Sequence, residues 1–182
     1  MTLSLDRFES PLGDILLVFE GDILRALDFW DYESRMLRLL RLHYGSVVLT
    51  PAPAPDAITQ PLRAFFDGDW AAADAIRVET GGTIFQREVW AALRRIPAGQ
   101  TMSYGGLARA LGRPAASRAV GLANGANPVA IVVPCHRVIG ANAGLTGYGG
   151  GLTRKAWLLA HEKQARPALP LLVALDAVGA AA

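Results

Sequence analysis

One cysteine occurs in this chain, and it sits in Pro134-Cys135-His136-Arg137-Val138. A thiolate is a strong nucleophile, and a nearby imidazole can take up the thiol proton at neutral pH. Adjacency alone does not bring the two groups together, because neighbours within a strand point to opposite faces. Pro134 matters here: it donates no ladder hydrogen bond and tends to end pairing, so a turn can place thiol and imidazole within reach of one water. His136 would then need an orienting acid. Glu162 is one of only two acids in the basic second half of the chain, Glu88 being the other, which makes it the natural candidate. The plainer reading of Cys135 is a buried small apolar residue, a common fate for a free cysteine.

Periodicity gives the helices and strands around these groups. Val129-Ala130-Ile131-Val132-Val133, just before the cysteine, reads as a buried strand. Upstream of it, Phe85, Val89, Leu93 and Ile96 recur at helical spacing, and Pro97-Ala98-Gly99 ends that helix. Ser103 is placed to cap a second helix, in which Tyr104, Leu107, Ala108 and Leu111 share a face. Gly112-Arg113-Pro114 breaks it, and a third helix over 115–124 carries small residues at Ala116, Ala119, Gly121 and Ala123. Helix, short glycine turn, helix is the pattern of a helix-turn-helix, and equally of an ordinary helical hairpin. A Gly-rich loop covers 145–152, and Thr153 is expected to cap a last helix through Lys163. Arg154 and Lys155 in its first turn have the wrong sign for a helix N-terminus, which suggests a nearby phosphate or nothing.

The first eighty residues carry no catalytic signature. Leu3 to Phe8 is a weak strand, and Ile15 to Phe19 and Ile23 to Phe29 form a hairpin about Gly21-Asp22. Helices are expected over 34–43 and around Ile58, Leu62, Phe65 and Phe66, with a stiff connection at Pro51, Pro53 and Pro55 and one more strand near 75–79. The fold class is therefore α+β. A small N-terminal α/β domain (1–80), mostly antiparallel sheet with helices, acts structurally. A mainly helical C-terminal domain (84–166) contains the helix-turn-helix and a short buried strand. An apolar tail (167–182) completes the chain.

Charge sharpens the division. Residues 1–83 sum to −6, residues 84–166 to +9 and residues 167–182 to −1, giving the net +2. A basic second half is suited to neutralising phosphates. No apolar run approaches the roughly 20 residues of a membrane span, and the charged start, with Asp6, Arg7 and Glu9, does not read as a signal peptide. A lone cysteine makes no internal disulfide, so a cytoplasmic setting is expected. His43, His136 and His161 lack metal-ligand spacing, and neither a metal nor another cofactor is expected.

Taken together, Asn127-Pro128, Pro134-Cys135-His136-Arg137-Val138, Gly147-Tyr148-Gly149-Gly150-Gly151-Leu152, Lys155, Trp157-Leu158-Leu159 and His161-Glu162 resemble the O6-alkylguanine-DNA alkyltransferases (methylated-DNA–protein-cysteine methyltransferases). Phe85-Gln86, Val89-Trp90, Ile96-Pro97-Ala98-Gly99-Gln100-Thr101, Ser103-Tyr104 and Arg118-Ala119-Val120-Gly121 carry the same resemblance upstream. It runs almost unbroken over 84–163, whereas residues 1–83 match that family only in size and acidic character.

The resemblance implies an irreversible, single-turnover repair enzyme. It would flip an O6-alkylguanine out of double-stranded DNA, and accept O4-alkylthymine too, through a helix-turn-helix bound in the minor groove. Cys135 would take the alkyl group, His136 through a water and Glu162 would promote the thiolate, and Asn127 would brace the turn. Arg118 would fill the gap left by the flipped base. Ser103, Ala116, Ala119 and Gly121 would lie at the DNA, the small residues allowing close approach. Tyr104 would hydrogen-bond the extruded guanine. Tyr148 would wall the pocket, with the carbonyls of Cys135 and Val138 and the N–H of Gly149 contacting the base. Gly149 and Ala130 stand where some members carry serine and proline; the Gly149 N–H survives that change, and Ala130 removes a possible pocket wall, which implies tolerance of bulkier alkyl groups. The zinc-binding cysteines of some relatives are missing, and a monomer is expected. Two other readings compete: a protein that recognises alkylguanine without repairing it, which Cys135 argues against, and a thiol hydrolase, which needs an oxyanion hole and a second positioned histidine.

Overall fold

The computed structural model describes residues 1–142, 144–145 and 147–164; the expected apolar tail lies outside them. Strands β1 (Thr2–Phe8), β2 (Ile15–Glu20), β3 (Ile23–Phe29) and β4 (Val48–Pro51) form one sheet in the order β3-β2-β1-β4. The first three are antiparallel and β4 joins β1 in parallel. The hairpin turns at Gly21, whose φ of +55° suits glycine. The sequence pattern missed β4, because Val48–Pro51 is short and mostly exposed and carries no alternation to read.

β2 is apolar at five successive positions because both of its faces are covered. Leu16 and Val18 join Leu3, Ala26, Met36 and Leu40 beneath α1 (Glu33–Tyr44). Ile15, Leu17 and Phe19 face the main core, together with α2 (Asp56–Phe66) and the apolar residues of the second half. One continuous cluster thus holds Phe29, Phe65, Val89, Trp90, Val129, Cys135 and Leu158. The strand expected near 75–79 is reduced to a single bridge, Val78 with Leu24.

The second half begins with α3 (Ile84–Leu93), started by a capping box in which Thr83 and Gln86 each bond the other's backbone N–H. β5 (Met102–Ser103) leads into α4 (Tyr104–Ala110), and the Ser103 hydroxyl accepts from Gly106 N–H at 3.0 Å. A 3₁₀ turn, Pro114–Ala116, leads into α5 (Ser117–Gly125), which packs on α3 and α4. A second 3₁₀ turn, Cys135–Arg137, is followed by β6 (Val138–Ile139), paired in parallel with β5, and α6 (Leu152–Glu162) closes the core.

Two further expectations change. The apolar run 129–133 is a turn, not a strand: only Val129 bridges, to Leu27 of β3. Val133 N–H returns to the Val129 carbonyl at 3.0 Å, and Ile131 adopts φ +68°. Prolines at 128 and 134 bracket the run, and the Asn127 side chain ties its two ends together. The short buried strand follows the cysteine instead. Thr153 does not cap α6, because the helix already includes Leu152 and the cap position is Gly151 at φ +88°. No described helix is long and apolar enough to cross a membrane.

Candidate active site

Everything around Cys135 is held by the turn that precedes it. Asn127 donates to the Val133 carbonyl at 2.8 Å and accepts from Val129 N–H at 3.0 Å. Leu27 N–H reaches the Pro128 carbonyl and Ala130 N–H reaches the Leu27 carbonyl, each at 2.9 Å, so the turn is stitched to the free edge of β3. Ala130 is buried, and its N–H is a backbone donor that a proline would forfeit. Cys135 is 5% exposed, and His136 is fully buried beside it in the same 3₁₀ turn.

The sequence placed His136 and Glu162 together, and the structure brings them to 2.8 Å, Nε2 to Oε1. Arg137 completes the group: its Nε lies 2.9 Å from Glu162 Oε2, its Nη2 2.9 Å from Oε1, and its Nη1 donates to the Ile96 carbonyl at 2.6 Å. Gly99 N–H adds a bond to Glu162 Oε2 at 3.3 Å. Burial alone would raise the Glu162 pKa, but His136 and Arg137 outweigh it and bring it down to about 2. An ionised carboxylate only accepts, so the His136 proton resides on Nε2 and Nδ1 presents a lone pair. Among the described residues Nδ1 has no hydrogen-bond partner. Burial lowers the His136 pKa, with Glu162 working against it, so the ring rests neutral at pH 7.

Burial likewise pushes the Cys135 thiol up, opposed by the Asn127 side chain, Arg35 and Lys155. Lys155 is fully buried and donates to the Val138 carbonyl at 2.6 Å. Arg154 pairs with Asp31 at 2.9 Å and lies 4.2 Å from the centre of the Phe29 ring. The two cations that suggested a phosphate at the start of α6 are thus engaged by the protein itself.

Sequence reasoning missed a second ion pair, which reaches the site from the N-terminal half. Asp28, fully buried, pairs with Arg35 of α1. Arg35 Nη2 also donates to the carbonyls of Gly125 and Asn127, each at 2.9 Å. Strand alternation held a signal for it. Asp28 lies two residues after Ala26, on the side that faces α1, where a carboxylate needs a partner.

The glycine loop leans on the same region. A Cβ on Gly149 would lie 2.6 Å from Arg35 Cζ, one on Gly150 2.4 Å from Phe29 Cε2, and one on Gly151 3.1 Å from the Tyr32 hydroxyl. Three consecutive glycines let the loop lie flush on three side chains of 29–35. Tyr148, on this loop, has its ring centre 6.4 Å from that of His136. Its hydroxyl is buried without a partner among the described residues, and burial, then the Cys135 charge, raises its pKa.

The remaining candidates line α4 and α5. Tyr104 opens α4 and packs against α5, where a Cβ on Gly121 would meet Tyr104 Cδ1 at 3.7 Å. Arg118 and Ala119 are exposed on α5, and Ala116 is half-buried where the 3₁₀ turn ends. Val138, buried, opens β6. Among the described residues no group of His, Cys, Asp and Glu is arranged to hold a metal ion.

Two helices joined by a short turn, beside a 3₁₀ turn that carries a buried thiol and an imidazole held by a carboxylate, fit a DNA-directed thiol chemistry. Residues 84–164 match the family described as "6-O-methylguanine DNA methyltransferase, DNA binding domain". The methylated-DNA–protein-cysteine methyltransferase of Mycolicibacterium paratuberculosis is 58% identical over 160 residues, covering 88% of this chain and 92% of that protein. The enzyme of the same name from Salmonella typhimurium is 51% identical over 160 residues, covering 86% and 94%. A crystal structure of Mycobacterium tuberculosis OGT in complex with DNA superposes with a TM-score of 0.73 at 40% identity, covering 92% of this chain and 96% of that one. The chain belongs to the methylated-DNA–protein-cysteine methyltransferase family.

Proposed function

We infer that this chain repairs DNA by direct transfer, moving the alkyl group from O6 of guanine, and from O4 of thymine, onto Cys135. The observation that carries this reading is the single 3₁₀ turn holding Cys135 and His136, with the imidazole locked by Glu162 so that Nδ1 is its basic nitrogen. At rest, burial keeps the pair as thiol and neutral imidazole. In the transfer the thiol proton passes to His136 through one water. The sulfur lone pair forms the S–C bond as the C–O6 bond breaks, and the electron pair leaves with the guanine, where the Tyr104 hydroxyl stabilises it.

The target atom is out of reach inside a duplex, so the base is flipped out, with α5 in the minor groove and Arg118 in the vacated stack. Ser103, Ala116, Ala119 and Gly121 lie along that approach. Cys135 is nearly closed off by its surroundings, so the Tyr148–Gly149 loop has to give as the base enters. Val138 and Gly149 offer it backbone partners. The resulting thioether has no easy leaving group and no second cysteine resolves it, so each chain reacts once. Residues 84–166 form the DNA-binding and acceptor unit, residues 1–80 support it, and a free active thiol suits the reducing cytoplasm.

Mass spectrometry after incubation with O6-methylguanine duplex tests the reading. One methylene-equivalent gain per chain, located on Cys135, is expected, and Cys135→Ala should bind the duplex but gain nothing. Release of many methyl groups per chain, or a modification elsewhere, would sink it.

A further inference from the structure

Helix α5 presents an outer arc whose composition is uneven. Val120, Ala123 and Asn124 are buried, and Gly121 is half-buried above Tyr104. What remains outside is Arg118, Ala119, Leu122 and Gly125. Ala119 and Gly125 add almost no height. Leu122 does: it is 71% exposed, the largest value for a large hydrophobic side chain among the described residues. It stands four residues after Arg118, so the two project side by side from the same face, one turn apart.

A bulky aliphatic side chain at the centre of a water-facing arc contributes nothing to this fold. Ile84, 70% exposed, opens α3, and exposed Leu37 and Leu42 lie on α1, whereas Leu122 lies in the middle of the helix that carries Arg118. The only large side chains on the outer face of α5 are thus one cation and one leucine. We propose that Leu122 is a second groove-contacting residue: an apolar ridge that packs against deoxyribose and base edges in the minor groove, and fixes the register at which Arg118 enters the stack. This rests on the reading of α5 as the minor-groove helix. Apolar side chains wedged at minor-groove base steps are a known device for unstacking, and unstacking is what base extrusion requires. Leu122 is a positioning residue in this account, because it touches neither the alkyl carbon nor Cys135.

The contact has a signature that separates it from a phosphate contact. Burying an aliphatic side chain releases no counterions, so its loss lowers affinity equally at all salt concentrations. Binding of Leu122→Ala and Arg118→Ala to an undamaged duplex is measured from low to moderate salt. Single-turnover transfer is measured with O6-methylguanine duplex and with free O6-benzylguanine, which needs no groove. Leu122→Ala is expected to weaken duplex binding about tenfold with an unchanged salt slope. The ratio of its duplex rate to its free-base rate should fall by a similar factor, and Leu122→Met should restore most of both. Unchanged or tighter duplex binding by Leu122→Ala, with Arg118→Ala still impaired, overturns the proposal while leaving the repair reading intact. So does a changed salt slope, or a loss confined to self-association in sedimentation. If Arg118→Ala also binds and repairs duplex normally, α5 is not the groove helix, and the reading beneath this one fails first.

Discussion

Two buried carboxylates flank the thiol turn, each facing an arginine, and they behave in opposite ways. Glu162 has His136, Arg137 and Gly99 N–H around it, and its pKa falls to about 2. Asp28 has Arg35 and its neighbour's backbone N–H, and burial still raises its pKa above the ordinary value. One ion pair is over-satisfied and the other is short of partners. An arginine contact thus does not by itself make a buried charge favourable; the number of donors converging on both oxygens decides.

Removing the carboxylate of the satisfied pair should do the most damage. Glu162→Gln leaves Arg137 buried without its carboxylate and should cost about 3–5 kcal/mol in urea unfolding. It also frees the His136 tautomer, so transfer to free O6-benzylguanine should slow by about 100-fold. A variant of near-normal stability and rate would show that Glu162 orients nothing.

Next in size is the loop contact shared with the Asp28–Arg35 region. Gly150→Ala drives a methyl into the Phe29 ring and should cost about 1–3 kcal/mol. The double variant with Phe29→Leu should recover part of that loss. Strict additivity of the two in thermal unfolding would mean that the loop does not rest on Phe29.

The smallest change is Asp28→Asn, expected to cost about 1 kcal/mol at neutral pH, because Arg35 retains the Gly125 and Asn127 carbonyls. A loss matching that of Glu162→Gln would erase the contrast.

Acid titration separates the two carboxylates by sign. The Glu162 pKa is depressed on folding, so its contribution is complete above about 4.5 and is lost as pH falls toward about 2. The stability gap between wild type and Glu162→Gln should therefore be flat above pH 4.5 and shrink below it. The Asp28 pKa is raised, so the folded protein takes up that proton first. Its contribution is complete below 3.8 and is lost as pH rises through the raised value. Wild type should gain on Asp28→Asn as the solution is acidified. Gaps that move in the same direction would contradict the assignment.

The same contrast marks what was legible in the sequence. Cys135, His136 and Glu162 sit in one motif-rich half, and one of its only two acids pointed to His136, though not to Arg137. The hairpin, most helices and the Ser103 cap followed from turn residues and periodicity. The apolar run 129–133 misled because a short hydrophobic stretch looks the same in a strand and in a buried turn. What bends it is the Asn127 side chain bonding across six residues, which periodicity does not register. Arg35 was invisible for a different reason: its carbonyl partners lie 90 and 92 residues away, a separation that only the assembled sheet spans.

The seating of the Pro128–Ala130 segment on β3 reaches beyond chemistry. A sheet border with open amide and carbonyl groups is a template for association with other chains. Here one border is occupied by that segment and by Val78, and the other ends in a four-residue strand closed by Pro51. Residues 1–80 produced without their partner half would keep Val78 against Leu24 but lose the cover over Leu27, and such a fragment should be more prone to aggregate than the whole chain.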